Sequence, residues 1–117
     1  MTAGRIISQS ISRADLTAMA EAQFGDWIKG VVDVSRGIMA VGGDLHADDE
    51  ALLLEHRSRQ QDLWGINLCL DEEGPDWIEF DSLINIRPGQ GNRSRGVDDD
   101  ETRQRIRALV ESLVIAE

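Results

Sequence analysis

Alternating apolar and polar positions predict two strands in the middle of the chain. From Trp64 to Leu70 every second residue is apolar, and the residues between them are small or polar. The same alternation runs from Ile78 to Arg87, with one interruption at Ser82-Leu83. A period of two places one face of a strand in the core and leaves the other face polar. We therefore predict strands over residues 64–70 and 78–87, joined by a turn of sequence DEEGPD.

Three other segments have the helical spacing of apolar residues. Ser12 is the expected N-cap of a first helix, whose apolar stripe extends to Phe24. A short helix is predicted from about Asp48 to His56, with acids at its positive end. The longest helix is predicted from about Asp98 to Ile115, with a core-facing stripe formed by Ile106, Leu109, Val110, Leu113 and Val114.

Three shorter apolar segments complete the predicted order of elements. Residues 5–8, 28–35 and 38–41 are rich in β-branched and other apolar residues, and Arg36-Gly37 supplies a tight turn between the last two. The order is therefore β-α-β-β-α-β-β-α. Because hairpins outnumber crossovers, we predict an α+β fold, a single domain over residues 1–117, with a small, mostly antiparallel sheet and helices on one face. Solvent or another subunit would cover the other face.

Composition excludes several classes of protein. A length of 117 residues suits one domain, and a single cysteine, Cys69, cannot form an internal disulfide. The N-terminal residues MTAGRIISQS lack the apolar region of a signal peptide, and no apolar stretch is long enough to span a membrane. We expect a cytoplasmic protein without membrane contact. The net charge of −10 argues against general nucleic-acid binding.

One segment of this acidic chain is cationic. No acid lies between Leu83 and Val97, and the segment contains the glycine-rich sequence PGQGNRSRGV. Glycines let backbone N–H groups approach a phosphate, and arginine binds anions through a two-pronged fork. This pattern favours a binding module for a small anionic ligand, such as a phosphate or a nucleotide, over residues 87–96. The predicted ligand-binding residues are Arg87, Gln90, Asn92, Arg93, Ser94 and Arg95.

The same loop has a simpler interpretation. It matches neither established phosphate-loop motif, and glycine, proline, asparagine and serine are ordinary turn residues. In this alternative, Arg93 and Arg95 pair with the acids Asp98, Asp99 and Asp100.

The segment GGDLHADDE is a second candidate site. Asp44 and His46, two residues apart, are potential metal ligands, and an open coordination position on a metal could activate water. A metal-assisted hydrolase would then use Glu79 or Asp81 as its base. Acids also concentrate at helix N-termini for electrostatic reasons alone, so capping is the competing interpretation.

The polar face of the two central strands is a third candidate. It is expected to present Asn67, Glu79, Asp81, Asn85 and Arg87, with Cys69 alongside. Two carboxylates on one face could act as an acid and a base if burial separated their pKa values. A solvated face would have the same sequence pattern, and a lone cysteine is more often a small buried residue than a nucleophile.

Three strings resemble a family of small prokaryotic proteins known only as a domain of unknown function. They are IMAVGGDLHADDEALLLE, LWGIN and WIEFDSLINIRPGQGNRSRGV, and GNRSRGV is the most distinctive part. The resemblance runs from about Phe24 to Val97 and continues more loosely through both flanking helices. It implies a stand-alone domain and carries no activity, cofactor or catalytic residue.

Three functions remain open at this point. A binding module for a small anion ranks first, a structural or regulatory interaction domain without a small-molecule site ranks second, and a metal-assisted hydrolase ranks last. The sequence identifies no cofactor and does not decide whether the protein is an enzyme. We also expect a homo-oligomer, a dimer, because the sheet is small and its second face includes Leu83.

Overall fold

The computed structural model describes residues 4–116. The helices are α1 (Arg13–Gln23), α2 (His46–Glu55) and α3 (Asp100–Leu113). In chain order, the strands are β1 (Arg5–Ile7), β2 (Ile11–Ser12), β3 (Trp27–Asp33), β4 (Ile38–Val41), β5 (Leu63–Cys69), β6 (Ile78–Glu79) and β7 (Val114–Ile115).

Five of the strands form one antiparallel sheet in the order β1-β4-β3-β5-β6. The short strands β2 and β7 pair in parallel as a separate two-stranded sheet. The predicted α+β class and the mostly antiparallel sheet are therefore confirmed. The predicted order of elements also holds, with β2 and β7 added to it.

The first helix begins and ends at the residues that the sequence predicts. The Ser12 side chain accepts a hydrogen bond of 3.0 Å from the backbone N–H of Asp15, which caps the helix N-terminus. At the other end Gly25 has a φ of 107° and donates its N–H to the carbonyl of Ala20. This left-handed conformation is accessible to glycine at little cost, so the helix stops there.

Helices cover both faces of the sheet, which corrects the expectation that they share one face. α1 and α3 pack against the face formed by Ile28, Val32 and Ile66. α2 lies on the opposite face, where Leu53 packs against residues that include Val31. The physical reason is that Val31 and Val32 are both fully buried, so β3 presents an apolar side chain to each face.

α2 covers only part of its face of the sheet. At the other end of this face the cross-strand neighbours are Trp27 with Cys69, Lys29 with Asn67, and Asn67 with Glu79. Cross-strand neighbours project to the same side of a sheet. A mixed polar and aromatic surface therefore lies beside the N-terminus of α2.

The strand predicted over residues 78–87 is much shorter than expected. Only Ile78–Glu79 pairs with β5, and Leu83–Asn85 forms a 3-10 turn. The fully buried Asn85 side chain then takes the place of a strand neighbour. Its Oδ1 accepts from the N–H of Gly65 at 2.8 Å, and its Nδ2 donates to the Gly65 carbonyl at 3.0 Å. Asn85 therefore satisfies the backbone N–H and C=O of Gly65 at the edge of β5. Its side chain does not belong to the polar sheet face.

No helix within residues 4–116 is both long enough and apolar enough to cross a membrane.

Replacing Asn85 by alanine tests whether its hydrogen bonds to Gly65 stabilise the fold in place of a neighbouring strand. We expect a loss of about 2–4 kcal/mol in the free energy of unfolding, because the buried N–H and C=O groups of Gly65 lose their partners. Denaturant unfolding measures the loss. Gln61→Ala, at an exposed position, is the control and should stay within about 0.5 kcal/mol of the wild type. A similarly small effect of Asn85→Ala would contradict this account.

Candidate functional site

A cavity of about 600 Å³ lies on the polar part of the second sheet face. Its base is formed by neighbouring side chains of β3, β5 and β6, and Leu45 to Ala47 at the start of α2 form one wall. Residues 81–84 and Arg95 complete the lining. We call this cavity the polar-face pocket.

Asn67 is a buried amide at the base of the polar-face pocket, with 6% of its surface exposed. Its Nδ2 donates to Glu79 Oε1 at 2.8 Å and more weakly to the Asp81 carbonyl at 3.4 Å. Its Oδ1 is buried and has no hydrogen-bond partner within residues 4–116. A buried acceptor left unsatisfied costs about 1–3 kcal/mol. Such an atom calls for a donor, which the neighbouring His46 would supply only when its ring is protonated.

His46, the first residue of α2, adds a second acceptor to the pocket. Its Nε2 lies 2.8 Å from the carbonyl oxygen of Ile66. A carbonyl can only accept, so Nε2 carries the proton, and Nδ1 of the neutral ring is an acceptor. Burial lowers the pKa of the imidazole below 6.5, although the Ile66 carbonyl and the Asn67 side chain stabilise the protonated ring. The ring is therefore mostly neutral at pH 7.

Cys69 lines the pocket as a thiol. Burial raises its pKa above the ordinary value, and the nearby carboxylates of Glu79 and Asp71 raise it further. A nucleophilic cysteine needs the opposite environment, one that stabilises the thiolate. This geometry gives no support for Cys69 as a nucleophile.

Acids outnumber bases around the pocket. The acidic side chains in its lining are Asp26, Asp71, Glu79 and Asp81, and the basic ones are Lys29 and Arg95.

Both basic side chains already have partners. Arg95 Nε lies 2.6 Å from Asp81 Oδ1, in a solvent-exposed pair that contributes little to stability. The Lys29 ammonium lies 5.2 Å from the ring centre of Phe24 and 5.7 Å from that of Trp27. These two rings stack on each other with their centres 4.4 Å apart. Arg95 is therefore paired with a carboxylate, whereas the Lys29 ammonium forms no ion pair among the described residues.

Residues 87–96 form a loop that we call the arginine loop, and three of the six predicted ligand-binding residues hold it against the rest of the protein. The guanidinium of Arg87 donates to the carbonyls of Gln60 and Leu63 and lies 4.2 Å from the ring centre of Trp64. Gln90 donates to the backbone of Gln61, and Asn92 is buried. The bonds of Asn92 run to the carbonyls of Asn85, Ser94 and Gly96 and from the N–H of Asp98.

The other three residues of this set lie on the surface of the loop. Asp98 accepts hydrogen bonds from the Ser94 hydroxyl and the Arg93 backbone N–H, and these bonds hold the pKa of its carboxyl below the ordinary value. The Arg93 side chain makes no hydrogen bond or ion pair in the part of the chain that the structure describes. Because Arg95 pairs with Asp81, the expected pairing of both guanidinium groups with Asp98 to Asp100 is wrong.

The two proposed metal ligands have different partners. Asp44 accepts a hydrogen bond from Gln23 of α1, whereas His46 bonds to the backbone of β5. Among the described residues, no three His, Cys, Asp or Glu side chains are grouped to hold a metal. The metal site at Asp44 and His46 stays a prediction from sequence.

Asp49, one of the acids that the sequence pattern places at the start of α2, is buried. Its Oδ1 accepts the N–H of Gly43 at 3.0 Å, and a Cβ at Gly43 would lie 2.8 Å from this oxygen. Its Oδ2 is buried without a partner in residues 4–116. Burial, with the Asp48 carboxylate as a lesser cause, raises the pKa of Asp49 to about 7.

The peptide unit between Gly42 and Gly43 is held from two sides. Gln23 of α1 donates to the Gly42 carbonyl at 3.0 Å, and Asp49 of α2 accepts from the Gly43 N–H. The C=O and N–H of a trans peptide point in opposite directions, so α1 and α2 form hydrogen bonds to this unit from opposite sides. These contacts fix the segment that leads into His46 and the pocket wall.

Comparison with known proteins identifies one family. A family model described as a protein of unknown function, DUF5674, matches residues 5–113. Neither the curated proteins nor the solved structures contain a match.

The buried carboxyl of Asp49 predicts a pH-dependent contribution to stability. Its pKa rises from about 3.8 to about 7 on folding, so its contribution is fully present below about 3.8 and is lost as the pH rises from there through about 7. Asp49→Asn keeps the acceptor for Gly43 and cannot ionise. From pH 4 to pH 8, the free energy of unfolding of this variant should therefore rise relative to the wild type, by up to about 4 kcal/mol.

Urea unfolding at several pH values measures this difference. Glu55→Gln, on the exposed surface of the same helix, is the control and should show an almost constant difference from the wild type. A constant difference for Asp49→Asn would show that the carboxyl ionises normally in the folded protein.

Proposed function

The chain belongs to the DUF5674 family of proteins of unknown function, and we propose that it is a small-molecule-binding protein. The ligand occupies the polar-face pocket and donates a hydrogen bond to Asn67. One observation carries this proposal: Asn67 Oδ1 is a buried acceptor without a partner in residues 4–116, at the base of a cavity. Native proteins leave few such atoms unsatisfied, so a bound donor is the natural complement.

The chemistry of the lining supports the same conclusion. Asn67 Oδ1, the Nδ1 atom of neutral His46 and the carboxylates of Glu79 and Asp81 are all acceptors around one cavity. Leu45 and Leu83 add apolar contact area at its rim. The volume of about 600 Å³ lies within the usual range of small-molecule sites, which is about 300–1,000 Å³.

Binding is favoured over covalent catalysis. The Cys69 thiol stays protonated at neutral pH, because burial and neighbouring carboxylates raise its pKa. A protonated thiol is a poor nucleophile. The pocket therefore offers recognition groups rather than an activated nucleophile.

A thermal-shift screen of a fragment library tests the proposed site. A ligand present at about 100 times its Kd adds roughly 2.7 kcal/mol, which moves the Tm of a domain this size by several degrees. We expect Asn67→Leu to abolish the shift, because it removes the acceptor at similar volume. Arg93→Ala, in the loop outside the pocket lining, should retain it. An equal shift in Asn67→Leu, or no stabilising fragment at all, would contradict the proposed site.

Anion binding by the arginine loop is a second candidate function. The buried Asn92 and the Asp98 carboxylate fix the loop backbone, and the Arg93 side chain is exposed beyond it. A fixed loop with an outward guanidinium is suited to capture a phosphate. This candidate ranks second because Asp98 and Asp81 lie close to the loop arginines and oppose an anion.

Titration with inorganic phosphate tests the second candidate. If the loop binds anions, phosphate raises the Tm of the wild type and of Asn67→Leu but not that of Arg93→Ala. An unchanged response in Arg93→Ala would rule the loop out. If neither ligands of the pocket nor phosphate stabilise the protein, a structural or regulatory interaction domain becomes the leading function. The expected homodimer would then be measured by sedimentation.

A further inference from the structure

If the polar-face pocket binds a small molecule, as proposed above, the charges that line it indicate the chemical class of that ligand. Four acidic and two basic side chains line the cavity, and its histidine is mostly neutral at pH 7. A cleft with a surplus of one sign of charge concentrates ligands of the opposite sign. The pocket therefore attracts cations and repels anions.

The unpartnered acceptor gives independent evidence for the kind of cation. Asn67 is more than nine-tenths buried, and its Oδ1 lacks a donor within the described chain while the His46 ring is neutral. Its Nδ2 lies 2.8 Å from Glu79 Oε1, so an acceptor oxygen of Asn67 and a carboxylate are close neighbours. An ammonium group has three donors and no acceptor. It can bond to Asn67 and to a carboxylate at once, which a single hydroxyl cannot do.

The basic side chains of the pocket do not cancel this preference. Arg95 Nε is 2.6 Å from Asp81, and the Lys29 ammonium lies over the stacked rings of Phe24 and Trp27. With Arg95 and Asp81 paired, an anionic ligand would meet the three carboxylates of Asp26, Asp71 and Glu79 against the single ammonium of Lys29. A cationic ligand leaves both contacts in place.

The rim of the pocket indicates that the ligand also has an apolar part. Leu45 is 57% exposed and Leu83 is 67% exposed, and both line the cavity. Removing large apolar side chains at a cavity mouth from water is favourable, so an apolar part of the ligand that covers them strengthens binding. We infer that the ligand of the polar-face pocket is an organic ammonium ion whose amine meets Asn67 and Glu79 and whose apolar body meets Leu45 and Leu83.

Three probes with one apolar body and different head groups test this inference. They are 2-phenylethylammonium, 2-phenylethanol and 3-phenylpropanoate, titrated into the full chain at pH 7 and followed by amide NMR. The ammonium should bind at least about tenfold tighter than the alcohol, and the carboxylate should not bind. Its chemical-shift changes should include the Asn67 side-chain amide and residues 45–47.

Glu79→Gln tests how much the negative charge of Glu79 contributes to ammonium binding. Glutamine can still accept from Asn67 Nδ2, so the local hydrogen bond is kept while the charge is removed. The variant should weaken ammonium binding at least about fivefold and leave the alcohol unaffected. Glu55→Gln, on the outer surface of α2, should change neither affinity.

The possible failures separate the inference from the proposed function. If the alcohol binds as tightly as the ammonium and Asn67→Leu abolishes both, the pocket is a binding site and the inference of a cationic ligand is wrong. Tighter binding of the carboxylate would also overturn the inference. If none of the three probes binds, the inference fails, and the fragment screen decides separately whether the pocket binds any ligand.

Discussion

The pairing of β3 with β5 is the constraint on which the rest of the structure depends. These two strands run antiparallel over seven residue pairs, from Trp27 with Cys69 to Asp33 with Leu63. This register sends Ile28 and Val32 towards α1 and α3, and it sends Lys29 and Asn67 to the opposite face. A slip by one residue would exchange the two faces, burying the polar set and exposing the core. One register therefore fixes both the core and the pocket.

The pocket exists because α2 covers only part of its face. Leu53 packs over the apolar end of β3, and the chain enters the helix at His46, beside the polar end. Gln23 and Asp49 grip the peptide unit between Gly42 and Gly43 and so determine where α2 begins. Asp49 also lowers the free energy of unfolding at high pH, because its buried carboxyl then ionises. The residue that positions the pocket wall therefore destabilises the protein as the pH rises.

Local patterns were sufficient to predict most of the fold and much less of the site. Apolar periodicity predicts the helices, the hairpin of β3 and β4, and the core-facing side of β5. The capping residues Ser12 and Gly25 predict the two ends of α1. The turn after Glu79 was signalled only by the interruption at Ser82-Leu83. Lys29 and the walls of the pocket depend on cross-strand register and on helix placement, and these are long-range contacts that no local pattern contains.

The central claim is that the polar-face pocket binds a ligand that donates a hydrogen bond to Asn67. A high-resolution crystal structure of the wild-type protein soaked with a fragment that raises its Tm tests it most directly. The account predicts a hydrogen-bond donor atom of the ligand within about 3.2 Å of Asn67 Oδ1. It is contradicted if the pocket holds no ligand and Asn67 Oδ1 instead accepts from His46 or another side chain of the protein.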